Sequence, residues 1–216
     1  MNIEQARFNM IEQQIRPTNV SSSEVLELLM RVKREDFFPE DQRNLVFFDT
    51  ELPLLRGVNA LSPKLEARIV QEVAAQKNES VLVVGADSGY VAALLAHQAR
   101  HVTVIEAIPE LKARVEDVFK RGAYANVDVI WGDALQGQGI SQFDVIVVTG
   151  SLEAMPELLR ERLNVGGRLF VVLGMAPVMT ATLINRESEL FFNTRALFET
   201  SLARLSQAVP ANAFTL

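Results

Sequence analysis

The chain has 216 residues, and at roughly 100–200 residues per domain that leaves room for one large domain but not for two of equal size. Hydrophobic residues make up 49% and charged residues 22%, with 11 Gly and 8 Pro, a balance that excludes a disordered or collagen-like chain. Lys and Arg number 21 against 27 Asp and Glu, a net charge of −6, so neither nucleic acid nor an anionic membrane surface is a favoured partner; the absence of cysteine excludes a disulfide framework, a thiolate metal site and a thiol nucleophile.

The N-terminus, MNIEQARFNMIEQQIRP, mixes acids among its apolar residues, which does not read as a secretory signal. No stretch approaches the ~18 apolar residues of a membrane span. A cytoplasmic protein without a membrane partner is the expectation. Phe8, Ile11 and Ile15 recur at helical spacing, and Ser21 with Glu24 forms a capping box before Val25, Leu28, Leu29 and Val32. Pro17 and Pro39 punctuate this helical stretch, and Ser62-Pro63 reads as the N-cap and first residue of a helix running from Lys64.

From Ser80 onward the pattern changes to near-continuous apolar strands separated by helical segments: 81–85, 101–106, 127–131, 143–149 and 168–174. Such strands are buried on both faces, which implies a mostly parallel sheet with right-handed crossovers. The stretches VMTATLI and LFFNTRALF flank a polar turn at 185–189 and predict an antiparallel pair closing one edge, with Phe191, Phe192 and Phe198 as edge-strand packing residues. The fold class is α/β, doubly wound, in a single domain over 1–216. Within it, 1–63 is expected to form a helical N-terminal extension with the loop that leads to Pro63, and 64–216 the α/β core.

Ligands of such sheets lie beyond the carboxyl ends of the strands. The first of these strands ends in Gly85-Ala86-Asp87-Ser88-Gly89-Tyr90, where Gly85 permits a tight turn and Gly89 a close helix approach. Glu106 ends the second strand about 20 residues further on, where a carboxylate can accept from both ribose hydroxyls of a nucleoside cofactor. A dinucleotide fingerprint would need glycine at 87 and 90, where Asp87 and Tyr90 stand, and Asp87 would repel a pyrophosphate. S-adenosylmethionine carries no phosphate, and its cationic ammonium and sulfonium suit an acidic rim. Gly132-Asp133 ends the third strand, where Asp133 can accept from the adenine amine. Trp131 is expected as core or pocket wall beside it. His97 and His101 bracket a helix end and a strand start, so they share no face; no metal site is expected, and His97 reads as a helix-terminal residue interacting with the dipole.

With these residues in hand, the sequence resembles the protein-L-isoaspartate O-methyltransferases. The resemblance is carried by Met10-Ile11-Glu12-Gln13-Gln14-Ile15-Arg16, Arg34-Glu35-Asp36-Phe37-Phe38-Pro39, Leu52-Pro53 and Ser88-Gly89-Tyr90, then by Ile105-Glu106-Ala107-Ile108-Pro109-Glu110-Leu111, Gly132-Asp133, Phe143-Asp144 and Gly166-Gly167-Arg168-Leu169. It covers about residues 5–175 and fades from Glu187 on. It implies a class I methyltransferase, Rossmann-like fold, with S-adenosylmethionine held by Gly85, Ala86, Asp87, Ser88, Gly89, Glu106, Asp133 and Ala134. The implied activity is methyl transfer to the free carboxylate of an isoaspartyl residue in a damaged protein or peptide.

The departures are as specific as the matches. The family's loop reads approximately G-Q-T-I-S-x-P, and its serine is the residue usually assigned to catalysis; here the loop is Gly57-Val58-Asn59-Ala60-Leu61-Ser62-Pro63, with Leu61 at the serine position. No catalytic residue is therefore assigned, and Asn59 and Ser62 are the candidate acceptor contacts. Val83 replaces an acid two positions before Gly85, and Asp87 replaces the middle glycine of the family loop. A carboxylate acceptor is already ionised and needs no general base. Two function classes follow: a carboxyl methyltransferase, for isoaspartyl residues or for another acceptor, and a catalytically impaired relative serving as a cofactor- or protein-binding module. On the sequence alone, Leu61→Ser with Val58→Gln and Asn59→Thr is expected to restore donors on the acceptor side.

Overall fold

The computed structural model describes residues 2–137 and 141–206. In chain order it comprises helix α1 (Ile3–Asn9), which runs into a π-helical turn over Met10–Ile15, helix α2 (Ser23–Arg31), a short pair of strands β1 (Leu52–Pro53) and β2 (Asn59–Ala60), and helix α3 (Pro63–Val73). Then come β3 (Ser80–Val84), α4 (Tyr90–Gln98), β4 (His101–Glu106), α5 (Pro109–Arg121), β5 (Val127–Trp131), β6 (Phe143–Leu152), α6 (Glu157–Glu161), β7 (Leu163–Met175), β8 (Val178–Arg186) and β9 (Phe192–Thr200).

The seven later strands form one sheet in the order β5-β4-β3-β6-β7-β8-β9. The pairings from β5 to β7 are parallel, and those of β7 with β8 and β8 with β9 antiparallel. Side-chain alternation explains why the central strands are largely apolar. Val81, Val83, Val102, Val104, Val145 and Val147 pack into one apolar cluster with Met10, Ile11, Leu28, Leu29, Ile69 and Leu94. Their neighbours Leu82, Val84, Ile105, Ile146 and Val148 pack on the opposite face with Leu159 and Leu205. With a period of two, a strand covered on both faces has few positions left for a polar residue.

Strand order reverses direction between β3 and its two neighbours: the chain first moves outward from β3 to β4 and β5, then returns to β6 on the other side. The carboxyl ends of β3 and β6 therefore flank a topological switch point, where a crevice opens.

Local details depart from expectation in instructive ways. The N-cap of α2 is Ser22, whose hydroxyl accepts from Val25 N–H at 3.3 Å, not Ser21. The amides of Ser21 and Ser22 instead share the Oε1 of Gln71 at 2.8 and 3.0 Å, so a contact from α3 displaces the frame of the cap by one residue. Ser62 holds the N-cap position of α3 ahead of Pro63, but its side chain makes no cap hydrogen bond. Trp131 is 66% exposed and not a core residue, because β5 is an edge strand. Phe192 and Phe198 lie in the other edge strand, while Phe191 precedes it and is exposed. His97 lies in the last turn of α4, but burial, with Arg31 and Lys77 nearby, pushes its pKa below the ordinary value, which weakens any charge it could offer the dipole.

Candidate active site

The loop after β3 is shaped by positive φ angles at Gly85 (+89°), Asp87 (+51°) and Gly89 (+93°). At Gly85 a side chain has no room as well as the wrong backbone: a Cβ there would meet the Thr149 hydroxyl and would lie 2.9 Å from Leu205 Cδ1. The Thr149 hydroxyl lies 3.1 Å from the Val84 carbonyl and 3.0 Å from that of Gly85, so the end of β6 is tied to the end of β3 through the space that glycine leaves.

Glu106 joins three strand ends. Its Oε2 accepts Ala86 N–H at 2.7 Å from the first loop, its Oε1 accepts Ile108 N–H at 2.8 Å from its own, and its backbone carbonyl accepts Gly132 N–H at 3.0 Å from the third. Each oxygen of a carboxylate keeps a second lone pair after one such bond, so the group can hold the loops and still accept from a ligand. Asp133 caps the short helix Ala134–Gln136, its Oδ1 accepting Leu135 N–H at 2.9 Å and its Oδ2 Gln136 Nε2 at 2.7 Å.

A cavity of about 260 Å³ opens beside these groups. Its lining comes from the loop after β3 and the end of β4 (Gly85, Asp87 and Glu106), from the segment that precedes α3 (Glu51 and residues 56–59), from Thr149 and Gly150 of β6, and from residues 202–206. Of the expected cofactor residues, Gly85, Asp87 and Glu106 line this cavity, and Ala86, Ser88, Gly89, Asp133 and Ala134 do not. Ser88 is fully buried, its hydroxyl accepting Tyr90 N–H at 3.2 Å at the start of α4. Of the expected acceptor contacts, Asn59 lines the cavity and Ser62 does not; Ser62 faces a separate depression with Lys64 and Arg68. Leu61 is 1% exposed and belongs to the apolar cluster.

Sequence reasoning missed Glu51 and Arg56 on the segment that precedes α3, and Thr149, Gly150 and the segment 202–205 as well. Thr149 and Gly150 sit at the carboxyl end of a strand, the position that does carry a signal, but only the sheet order shows that this end adjoins Gly85. The segment 202–205 returns along β6: Leu205 N–H donates to Ser151 O at 3.1 Å and Ser151 N–H to Ala203 O at 2.9 Å. Arg204 is paired with Glu153. A Cβ on Gly150 would lie 2.5 Å from Leu205 Cα and 2.6 Å from its nitrogen. Gly150→Ala should therefore displace this segment and lower the free energy of unfolding by about 1–3 kcal/mol, as overpacking does; equilibrium urea unfolding measures it, and an unchanged midpoint would mean that the segment is not seated there.

Behind the cavity lies a buried charged pair. Arg34 Nε donates to Glu66 Oε2 at 2.7 Å, and its Nη1 donates to the Val46 carbonyl at 2.6 Å. Both side chains are 0% exposed. Burial pushes the Glu66 carboxyl up to about 8, against the pull of the Arg34 guanidinium.

Comparison with known proteins places the chain in a family. The family model described as Protein-L-isoaspartate(D-aspartate) O-methyltransferase (PCMT) matches residues 5–201. The chain belongs to this family. The match reaches past Glu187 to residue 201, so half of the C-terminal region that departs by eye still falls within the family pattern. Protein-L-isoaspartate O-methyltransferase 2 of Anaeromyxobacter sp. is 39% identical over 167 residues, 77% of this chain and 69% of its own length. The Protein-L-isoaspartate O-methyltransferase of Ignicoccus hospitalis is 34% identical over 179 residues, 81% and 85% of the two chains. In fold, the chain resembles the beta-aspartate methyltransferase (PCMT) of Plasmodium falciparum, crystallised with S-adenosyl-L-homocysteine, with a TM-score of 0.81 at 18% identity over 96% of this chain and 99% of that one. Among the described residues no helix is long and apolar enough to cross a membrane.

Proposed function

We propose that this protein is a cytoplasmic methyltransferase that binds S-adenosylmethionine at the carboxyl ends of β3, β4 and β5 and methylates the free carboxylate of isoaspartyl residues in damaged proteins. Family membership over residues 5–201 carries the reading. The organisation proposed with it is one domain, and its support is an apolar cluster that includes both N-terminal residues such as Met10 and Leu29 and sheet residues such as Val81 and Val104.

The residues present fit the cofactor. Glu106 lines the cavity with its carboxylate already oriented by two amides, which leaves it set to accept ribose hydroxyls; Asp133, oriented by Leu135 N–H, stands at the next strand end, suited to an exocyclic amine. S-adenosylmethionine supplies an electrophilic methyl group on its sulfonium. The chain's own residues bind, orient and exclude water. An isoaspartyl carboxylate arrives ionised, so no residue need remove a proton, and the rate depends on proximity, alignment and desolvation. The segment 57–59 forms the wall facing the cofactor residues, with Asn59 as a side-chain donor and Leu202 and Leu205 helping to close the cavity.

Glu106→Ala should weaken S-adenosylhomocysteine binding by about 1.5–3 kcal/mol, the range for hydrogen bonds to charged groups, which is about 10- to 150-fold. The single tryptophan gives a direct readout: Trp131 pairs with Glu106 in register, and its indole N–H donates to the Ala107 carbonyl at 3.1 Å. A fluorescence titration, with calorimetry alongside, tests the site, and an unchanged affinity in the variant would place the cofactor elsewhere.

A further inference from the structure

One residue of the acceptor loop has both of its backbone polar groups held by buried charged side chains. Leu61 N–H donates to Asp87 Oδ1 at 3.0 Å, and the Leu61 carbonyl accepts from Arg34 Nη2 at 2.8 Å. Arg34 is itself fixed by Glu66. The second Asp87 oxygen accepts the Ser88 hydroxyl at 3.0 Å. The Asp87 residue is 5% exposed.

Two features of Asp87 work against an aspartate at this place. Its φ of +51° is one that glycine adopts without steric cost and that aspartate, though it tolerates this region better than most residues, adopts at some cost. Its burial also pushes the carboxyl above the usual range. Within the cofactor loop, Gly89 N–H donates to the Ala86 carbonyl at 2.9 Å, and Asp87 makes local bonds to Ser88 as well. Beyond its own loop, the side chain supplies the contact across to Leu61. The cavity is walled by Gly85 and Glu106 from the cofactor loops and by Val58 and Asn59 from the acceptor loop, so the spacing of its two walls depends on how those segments are registered.

We propose that Asp87 is a positioning residue: its carboxylate clamps the acceptor loop, residues 57–62, to the cofactor loop, residues 85–89, and thereby sets the separation of the two walls between which methyl transfer takes place. This rests on the function proposed above for the cavity. The residue acts through the Leu61 amide rather than on the reacting atoms.

Three variants test the clamp. Asp87→Gly and Asp87→Ala remove the acceptor, the first of them with a backbone suited to the positive φ; Asp87→Asn keeps an oxygen that can accept from Leu61 N–H. The readouts are hydrogen exchange at the Leu61 amide, S-adenosylhomocysteine affinity, and kcat and KM for an isoaspartyl peptide. In Asp87→Gly and Asp87→Ala the Leu61 amide should exchange at least about 10-fold faster, the loss of one hydrogen bond to a charged group. The kcat/KM for the peptide should fall about 10- to 100-fold, as misplacement of a reacting group does. S-adenosylhomocysteine affinity should fall by clearly less than kcat/KM, and Asp87→Asn should restore most of the Leu61 protection lost in Asp87→Ala. Unchanged exchange at Leu61 in both truncated variants would overturn the clamp. So would a loss of cofactor affinity that matches the loss of kcat/KM, because the carboxylate would then serve the cofactor itself. If the parent does not methylate the peptide, the proposed function fails, and the exchange measurement still decides the clamp.

Discussion

Arg34→Met should lower the free energy of unfolding by about 3–5 kcal/mol, the range for removing one partner of a buried charged pair. The guanidinium bonds Glu66, the Val46 carbonyl and the Leu61 carbonyl, all out of contact with water, and lies over the Phe38 ring at 4.6 Å. Methionine fills much of the same volume but donates nothing, so a carboxyl and two carbonyls are left buried without that donor. Because burial already pushes Glu66 to about 8 and Arg34 pulls the other way, the variant's Glu66 should hold its proton to still higher pH. Urea unfolding of Arg34→Met and of the double variant Arg34→Met/Glu66→Leu separates the causes. Adding Glu66→Leu should recover part of the loss, as apolar replacement of a whole buried pair does, but not all of it, since the two carbonyls stay unpaired. A single variant as stable as the parent would mean that the pair carries no such role.

Leu61→Ser should cost about 2–5 kcal/mol of stability, the range for truncating a buried leucine, before the cost of placing a hydroxyl among apolar neighbours is added. The sequence alone suggested that serine here would restore a donor to the acceptor side. In the structure the Leu61 side chain is buried in the apolar cluster and is absent from the cavity lining, which Val58 and Asn59 share. Any gain in methylation from Leu61→Ser with Val58→Gln and Asn59→Thr should therefore arise from positions 58 and 59. The pair Val58→Gln/Asn59→Thr should show that gain without the stability loss. Thermal unfolding and peptide methylation, measured on the same three variants, check both statements; a gain that requires Leu61→Ser would show that a hydroxyl at 61 reaches the acceptor after all.

The sheet was legible because a strand buried on both faces cannot hide: Val81, Leu82, Val83 and Val84 leave no polar position. The strand ends followed from it, and with them Gly85 and Glu106, since a glycine turn and a terminal acid are visible wherever a strand is visible. Contacts between distant segments were not legible. Ser21 fitted a capping box by spacing, but Gln71 engages its amide, and nothing near Ser21 encodes that. Asp87 looked like a cofactor-side acid, and its engagement with Leu61 appears only once residues 26 positions apart are brought together. Arg34 stood in a matched motif with no sign that it would meet Glu66 in the core. The closing segment 202–205 has little pattern of its own, and it is recruited by the backbone of Ser151.

The most direct measurement is transfer of labelled methyl from S-adenosylmethionine to a peptide containing one isoaspartyl residue, with the same peptide carrying ordinary aspartate as the control. The account predicts a base-labile methyl ester on the isoaspartyl peptide, far less on the control, and loss of the transfer in Glu106→Ala. A protein that binds S-adenosylmethionine normally and forms no ester on the isoaspartyl peptide would contradict it.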